Sequence, residues 1–395
     1  MSKRVLIITQ NFYPEIGSAA NRMKNIYQLL TEKGYKVKVL TTEATYPNKK
    51  IYEDEKFWDE ESINKDEDII RVKIKTRKYS RSIFNRLVYY LEIAIRMIFL
   101  VFTDKKKYET VLVTSPAIFV GFVGILAKFK YKAKLILDIR DLWPESLKGV
   151  GVFNYKFIIK LFEKFETVLY NSADEIVVNS KGFIKHIENC SVKNSNNIYF
   201  IPNSAKEQEI VSGIKKTNQF SVIYAGNIGL AQDYILLQEL AKRLHKYQIT
   251  LTIIGYGMNN GQLKQYVEEL NLSNVVFMKP KTRKECLGII SKHNIGIVTL
   301  NDKKVFETVL PGKVIDYMTC GVPIVAAVSG IAKDIILKEN VGFATDPGNI
   351  DEMMESILLI YKSEELSMDL SSNCNGFVRR NFLWEDNIST LEKII

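Results

Sequence analysis

The sequence is short of the residues that build disulfide and metal frameworks. Its 395 residues include only four cysteines and three histidines. The cysteines are far apart, and none belongs to a Cys-x-x-Cys pair: Cys190, Cys286, Cys320 and Cys374. Such spacing is typical of a reducing compartment and offers no cysteine-based metal framework. We therefore predict neither a structural disulfide nor a bound metal.

The sequence also lacks a long apolar run near its start. Val5–Ile8 is apolar but is followed at once by polar residues, whereas the core of a secretory signal needs about 7–15 apolar residues. A buried first strand explains this stretch better. We therefore expect a cytoplasmic protein.

No Gly-x-Gly-x-x-Gly pattern follows that strand, which argues against a nicotinamide-dependent oxidoreductase. The loop Thr9–Arg22 follows it instead, with Gly17 ahead of several small residues. Gly17 would let a phosphate approach backbone N–H groups at the start of the next helix. A plain strand-to-helix turn has the same appearance.

Strand-length apolar stretches alternate with helix-length segments along most of the chain. The first series of strands is Val5–Ile8, Val37–Leu40, Val111–Val113, Leu135–Leu137 and Ile176–Val178. The second is Val222–Tyr224, Leu251–Ile254, Val275–Phe277, Ile295–Val298 and Ile324–Ala327. Alternation of this kind predicts an α/β protein with two doubly wound, Rossmann-like lobes.

The two series are separated by an irregular stretch after Ile201–Ser204. We therefore predict a first lobe at residues 1–204 and a second lobe at residues 205–375. Residues 376–395 are predicted to form a C-terminal helix that crosses back to the first lobe. The end of the chain is helical by its periodicity and contains no good strand.

A dense group of polar and charged side chains follows the predicted strand Leu135–Leu137. Within it, Arg140, Asp141 and Glu145 suit the binding of sugar hydroxyls, and a carboxylate there can accept a hydroxyl proton. Residue Asp141 is equally well suited to cap a short helix. Both roles stay open, and they are compatible with each other.

Two further loops lie at the predicted carboxyl ends of strands in the second lobe, where ligands collect in parallel sheets. In the first, Gly226, Asn227 and Gly229 would let backbone amides face a diphosphate. This pattern is weak on its own.

The second loop leads into a helix that begins at Pro311-Gly312. The exposed amides at a helix start favour a pyrophosphate, and Lys313 adds a full positive charge. Asp316 lies three residues further on, on the same side of the helix, where it can accept hydrogen bonds from ribose hydroxyls. A well-capped surface helix is the alternative.

The most basic part of the chain is Arg71–Lys107, which has eleven Lys or Arg residues against two acidic residues. Charged residues interrupt its apolar stretch Ile83–Phe102, which disfavours a membrane span. A helix lying on an anionic membrane surface fits better than nucleic acid binding, and a core helix with a solvated basic flank is the alternative. The predicted lipid-facing residues are Arg81, Arg86, Arg96, Lys105, Lys106 and Lys107.

With these motifs in order, the chain resembles glycosyltransferase family four, a retaining family with the GT-B fold, and within it the bacterial WbuB-like subgroup of surface-polysaccharide enzymes. The resemblance rests on Asn11–Arg22, Arg140–Ser146, Ile201–Asn203, Tyr224–Gly229 and Pro311–Pro323. It implies two lobes facing a cleft, with the donor held mainly by the second lobe.

The resemblance also implies residue roles. Asp316 would contact the nucleotide ribose, Gly312 and Lys313 would face the diphosphate with Gly17 closing from the other lobe, and Asp141 would lie near the transferred sugar or the acceptor. The family commonly has glutamate at the position of Asp316. The first glutamate of its paired motif is displaced, because Glu307 lies one position earlier than usual and Thr308 takes its place.

The implied function is retaining sugar transfer from a nucleotide diphosphate donor, without cofactor or metal. The donor is expected to be a UDP-sugar, such as an N-acetylated hexosamine or a deoxyhexosamine. The acceptor is expected to be linked to polyprenyl diphosphate, in capsule or O-antigen type synthesis at the inner face of the cell membrane. Two alternatives stay open: a non-catalytic, membrane-associated subunit that binds nucleotide sugars, and a sugar-nucleotide epimerase with the GT-B fold.

Overall fold

The computed structural model describes residues 3–75, 83–115, 118–149, 156–211 and 219–395. These residues form two compact units. The first comprises Met1–Pro202 together with Glu385–Ile395, and the second comprises Asn203–Trp384.

A parallel sheet of seven strands forms the centre of the first unit. Its strands are β1 (Arg4–Ile8), β2 (Lys36–Thr42), β3 (Ile69–Val72), β4 (Thr110–Ser115), β5 (Lys134–Ile139), β6 (Glu175–Val178) and β7 (Ile198–Phe200). They lie in the order β3-β2-β1-β4-β5-β6-β7, and every neighbouring pair is parallel. This order is the doubly wound arrangement of Rossmann-like domains.

The helices of this unit lie mainly between successive strands. They are α1 (Ser18–Glu32), α2 (Glu61–Asn64), α3 (Ile83–Thr103), α4 (Ile118–Tyr131), α5 (Glu145–Gly149), α6 (Lys156–Ser172) and α7 (Ile184–Cys190). Short 3₁₀ helices occupy Lys49–Glu53, Glu55–Phe57, Lys181–Phe183 and Ser195–Asn197. Helix α4 approaches its neighbours closely because Gly121 faces Leu169 of α6 and Gly124 faces Val113 of β4.

The second unit repeats this plan with six strands. They are β8 (Ser221–Asn227), β9 (Thr250–Tyr256), β10 (Val275–Met278), β11 (Ile295–Thr299), β12 (Ile324–Ala327) and β13 (Gly342–Thr345). The strand order is β10-β9-β8-β11-β12-β13, again with parallel pairs. The predicted α/β class with two doubly wound lobes is therefore confirmed.

The helices of the second unit are α8 (Tyr234–Lys246), α9 (Asn260–Glu269), α10 (Arg283–Ile290), α11 (Gly312–Thr319), α12 (Gly330–Lys338), α13 (Ile350–Lys362) and α14 (Glu364–Asn381). Two 3₁₀ helices occupy Glu207–Glu209 and Lys304–Thr308. Side chains fix several helix starts: Asp233 accepts the amide of Leu236 ahead of α8, and Thr282 forms a capping box with Glu285 at α10. Such caps satisfy amides that have no partner within the helix.

The last helix, α15 (Trp384–Ile394), lies almost entirely in the first unit. Lys33 of α1 forms a salt bridge of 2.8 Å with Glu392, and the Thr110 hydroxyl donates to the Ile395 carbonyl at 3.3 Å. Of the predicted C-terminal segment, residues 376–395, Glu385–Ile395 is grouped with the first unit and the residues before it with the second.

Strand order reverses direction at one point in each sheet, between β1 and β4 and between β8 and β11. Ligands of open α/β sheets bind outside the carboxyl ends of the strands at such a point. The second sheet has a pronounced opening there, because β8 and β11 pair only through Val222 and Ile223 with Ile295 and Gly296. The topology therefore predicts a ligand site among the residues that follow β8 and β11.

Candidate functional site

Helix α11 is anchored over the opening between β8 and β11 by one buried tyrosine. The Tyr317 hydroxyl accepts the amide of Ala225 in β8 at 2.9 Å and lies 3.1 Å from the carbonyl of Ile297 in β11, to which it donates. Gly296 makes room for the ring, since a Cβ there would lie 2.3 Å from it. Tyr317 therefore fixes where the start of α11, with Gly312 and Lys313, lies at the sheet edge.

The ammonium group of Lys313 is buried and has no hydrogen-bond partner. It lies 3.7 Å from the centroid of the Tyr224 ring, and this cation–π contact partly stabilises the buried ammonium. Burial lowers the pKa of Lys313 to about 7, against the opposing effect of Asp316. A buried, unpartnered cation at a helix start is a strong attractor for an anion.

The end of β8 reaches this lysine. Gly226 has a φ of 128°, which L side chains rarely adopt, and a Cβ there would lie 3.6 Å from Cε of Lys313. The Oδ1 atom of Asn227 is buried without a hydrogen-bond partner. The amide of Gly229, by contrast, already donates to Oε1 of Gln232 at 2.9 Å. Gly226 therefore borders the Lys313 side chain, while the amide of Gly229 would have to exchange its partner to meet a ligand.

The Asp316 carboxylate has a partner that the sequence patterns did not reveal. Nη1 of Arg283 donates to its Oδ1 at 2.9 Å. The same guanidinium forks onto Glu209, at 2.6 Å and 3.1 Å. Its position in the sequence could have indicated this role, because Arg283 begins α10 just after the carboxyl end of β10, where ligands collect in parallel sheets.

The two residues of the displaced glutamate motif lie in the 3₁₀ helix Lys304–Thr308. The Glu307 side chain is exposed. The hydroxyl of Thr308 donates to the carbonyl of Val305 at 2.7 Å. Neither observation assigns a donor-sugar contact to this segment.

In the first unit, Arg22 and Asp138 form a buried salt bridge, and Asp138 lies just before the predicted residues Arg140 and Asp141 in the chain. Arg22 of α1 binds both oxygens of Asp138, at 2.7–3.1 Å, and donates to the Pro202 carbonyl at 3.1 Å. Arg140 lies 3.9 Å from Asp138, and its Nε atom is buried without a hydrogen-bond partner. Two guanidinium groups thus share one buried carboxylate. Gly17, with φ 119°, directly precedes the helix that carries Arg22.

Asp141 lies three residues after Asp138 and is half-buried. Burial raises its pKa to about 6, although Ser146, Arg140 and the Leu142 backbone all act to lower it. A carboxyl group with this pKa exchanges protons near neutral pH. Glu145 begins α5 and forms a salt bridge of 2.6 Å with Lys148.

The basic segment was predicted to face lipid, and only part of it is described. Arg81 lies outside the described residues, as does the side chain of Arg86. Arg96 pairs with Glu92 on α3 at 2.8 Å, and Lys106 pairs with Asp68 at 2.7 Å. Lys105 and Lys107 are exposed. No helix in the described parts of the chain is long and apolar enough to cross a membrane.

Helix α3 carries apolar side chains on two faces. One face is buried in the unit and includes Ile93 and Met97. The other is open to solvent and includes Leu91, Ile95 and Phe99, the last with 67% of its surface exposed. The neighbouring helix α4 contacts the end of α3, where the ammonium of Lys130 donates to the Phe102 carbonyl at 2.9 Å, and the adjacent Phe129 is 72% exposed. Phe157, at the start of α6, is 79% exposed. Exposed apolar patches of this kind mark contact surfaces.

Among the described residues, Glu166, His186 and Cys190 bring potential metal-ligand atoms within 4.8 Å of one another. Hydrogen bonds within the cluster already engage the buried carboxylate. The Tyr170 hydroxyl donates to Glu166 at 2.6 Å, and Nε2 of His186 lies 3.0 Å from the same oxygen. The cluster is thus accounted for as a hydrogen-bonded link between α6 and α7.

Comparison with known proteins assigns the chemistry. Residues 205–375 match the family model described as glycosyl transferases group 1. The chain is a glycosyltransferase whose second unit is similar to the group 1 family. The matched residues contain β8, α11 and the whole Lys313 site. The glycosyltransferase is 21% identical over 335 residues to the Escherichia coli K12 protein WcaI, named for colanic acid biosynthesis, with 80% of this chain and 81% of WcaI covered.

Solved structures show the fold of this glycosyltransferase along its whole length. Sucrose-phosphate synthase from Thermosynechococcus elongatus superposes with a TM-score of 0.76 and 14% identity, covering 99% of this chain and 98% of that one. Anabaena HepE, solved with UDP and glucose, gives 0.71 and 14% identity and covers 99% of each chain. The predicted GT-B fold is therefore confirmed.

Proposed function

We propose that this glycosyltransferase moves a sugar from a UDP-sugar to a polyprenyl-diphosphate-linked acceptor, with retention of configuration, in the synthesis of a bacterial surface polysaccharide. The observation that carries the donor side is the buried, unpartnered ammonium of Lys313 at the start of α11. The structure of HepE with UDP and glucose supports a uridine donor. The name of WcaI, for colanic acid biosynthesis, supports a role in polysaccharide synthesis, and the capsule or O-antigen type rests on the resemblance to the WbuB-like subgroup.

The donor diphosphate is proposed to meet Lys313 and the first amides of α11, at Gly312. Gly226, near the end of β8, and Gly229, just after it, are proposed to let the phosphates approach the backbone, and the side-chain NH₂ group of Asn227 is proposed to donate to them. Negative charge grows on the diphosphate as the sugar leaves. A fixed cation and a helix start stabilise that charge without rearrangement during the reaction.

The acceptor is proposed to contact residues of the first unit. Asp141 has a pKa raised to about 6 by burial, so its ionised form can accept the proton of an attacking hydroxyl near neutral pH. Arg140 and Glu145 are proposed to bind sugar hydroxyls, and Gly17 to face a phosphate at the start of α1. No residue is assigned as a covalent nucleophile.

The donor proposal is tested by a thermal-shift screen against UDP-, GDP- and ADP-sugars, followed by assays of nucleotide release with and without lipid-linked acceptors. We expect UDP-sugars to raise the melting temperature by mass action and UDP release to depend on acceptor. Stabilisation without release under any condition would favour a non-catalytic binding subunit. Epimerised donor formed without acceptor would favour an epimerase. No stabilisation by any nucleotide sugar would contradict the donor site.

The enzyme is proposed to work at the inner face of the cell membrane. We propose that exposed apolar side chains of α3, α4 and α6 contact the bilayer; they include Leu91, Ile95, Phe99, Phe129 and Phe157. Lysines 105 and 107 lie just beyond the end of α3 and are exposed. Apolar side chains that enter the headgroup region next to lysines that meet lipid phosphates bind anionic bilayers.

We expect the double variant Phe99→Ser/Phe129→Ser to lose roughly tenfold or more of its affinity for vesicles that contain phosphatidylglycerol, because each buried phenyl group contributes about 1.5–3 kcal/mol. Sedimentation with anionic and neutral vesicles at low and high salt measures the effect. Tyr247→Ser, which removes an aromatic ring of the second unit that is 52% exposed, is the matched control. Equal pelleting of the wild type with both kinds of vesicle at both salt concentrations would contradict an electrostatic surface role.

A further inference from the structure

Three charged side chains meet beside the proposed donor site: Arg283 at the start of α10, Asp316 on α11 and Glu209 in the 3₁₀ helix Glu207–Glu209. Arg283 binds Glu209 through two nitrogens, at 2.6 Å and 3.1 Å. It binds Oδ1 of Asp316 through a third nitrogen, at 2.9 Å. A guanidinium is suited to this because its rigid fork of donors can hold two carboxylates at once.

The Arg283–Asp316–Glu209 triad is partly buried, so solvent screens its interactions less than those of exposed ion pairs. The side chains of Arg283 and Glu209 are about one-fifth exposed, and that of Asp316 is 33% exposed. Burial lowers the pKa of Arg283, but the nearby Asp316 and Glu209 raise it above its ordinary value. The arginine therefore stays charged and keeps two carboxylates together that would otherwise repel each other.

Glu209 is itself held in place. Its Oε2 accepts the amide of Lys206 at 3.1 Å, and the following Val211 donates its amide to the carbonyl of Thr319, at the end of α11, at 3.0 Å. Because Glu209 is held by the backbone, the Arg283 guanidinium that binds it is held as well. The guanidinium then holds Asp316 through its Oδ1 atom.

We infer that Arg283 is a positioning residue, which holds Asp316 through Oδ1 so that the carboxylate can accept hydrogen bonds from the ribose hydroxyls of the donor. The inference rests on the proposed function. It assigns the selectivity for a ribonucleotide to the Arg283–Asp316–Glu209 triad, while the diphosphate is bound separately at Lys313.

The test compares the binding of UDP and 2′-deoxy-UDP, measured by calorimetry. For the wild type we expect UDP to bind roughly ten- to a hundredfold more tightly, the range for a hydrogen bond to a charged group. In Arg283→Met we expect that ratio to fall below about threefold, while 2′-deoxy-UDP keeps most of its affinity through the diphosphate. Arg283→Lys keeps the charge without the fork and should give an intermediate ratio.

Arg243→Met is the matched control. Arg243, on α8 of the same unit, also contacts two carboxylates: Glu239 on α8 and Asp351 on α13. The variant should leave the UDP preference unchanged. A wild-type ratio near one, or an unchanged ratio in Arg283→Met, would overturn the inference while leaving UDP binding intact. Failure of the wild type to bind either nucleotide would instead contradict the proposed function.

Discussion

We expect the Lys313→Ala variant to transfer sugar roughly a hundred to a thousand times more slowly than the wild type at saturating donor, because it loses a cation aimed at the leaving diphosphate. The wild-type ammonium is buried and forms no hydrogen bond with the protein. Its charge is therefore available to a bound anion. Steady-state kinetics with a UDP-sugar and a lipid-linked acceptor measure the loss.

The same lysine should show an opposite effect on stability. A buried ammonium without a hydrogen-bond partner is costly to the folded state, so Lys313→Met should melt no lower than the wild type in the absence of nucleotide. Retained stability with lost turnover would separate catalysis from folding. Turnover of Lys313→Ala at the wild-type rate would remove this residue from the mechanism.

The affinity for UDP should fall by roughly 50-fold between pH 7 and pH 9, which follows from a lysine with a pKa near 7 that must be protonated to bind the diphosphate. The sign follows from the cause of the shift. Burial lowers the pKa of Lys313 to about 7 in the free protein, and a bound diphosphate favours the charged form. Raising the pH above 7 therefore removes the proton that binding needs. Calorimetry at successive pH values measures the decline.

Two variants make this result specific. Lys313→Met should bind UDP weakly with little dependence on pH from 7 to 9, and Lys313→Arg should also lose the dependence, because arginine stays charged in this range. The rate should show an additional acidic limb near pH 6, where Asp141 becomes protonated, and Asp141→Asn should lack it. Affinity in the wild type that is constant from pH 7 to pH 9 would contradict the assigned role.

The central strands were predictable from the sequence, as was the edge strand β10, but the other three edge strands were not. Strands such as β5 and β12 are nearly continuous apolar runs because helices cover both faces of a parallel sheet. The three strands absent from the predicted set, β3, β7 and β13, each lie at the edge of a sheet. They are only three or four residues long and partly exposed. Their apolar pattern is therefore too short to distinguish them from loops.

The residues of the candidate donor site were predictable from local patterns, while their contacts were not. Gly226 follows a predicted strand, Lys313 lies at the start of a predicted helix, and Asp316 lies one turn further along the same side of that helix. The partner of Asp316 is Arg283, which is 33 positions away in the chain, and only the strand order brings it near. Likewise, Tyr317 was predicted only as part of a helix, yet its hydroxyl joins β8 to β11. Pairings of this kind depend on tertiary structure.

A crystal structure of the enzyme with UDP bound tests the central claim most directly. The account predicts phosphate oxygens about 2.7–2.9 Å from Nζ of Lys313, beside the first turn of α11 and Gly226, with the ribose turned toward Asp316. A diphosphate bound elsewhere, with the Lys313 ammonium still facing Tyr224 alone, would contradict it.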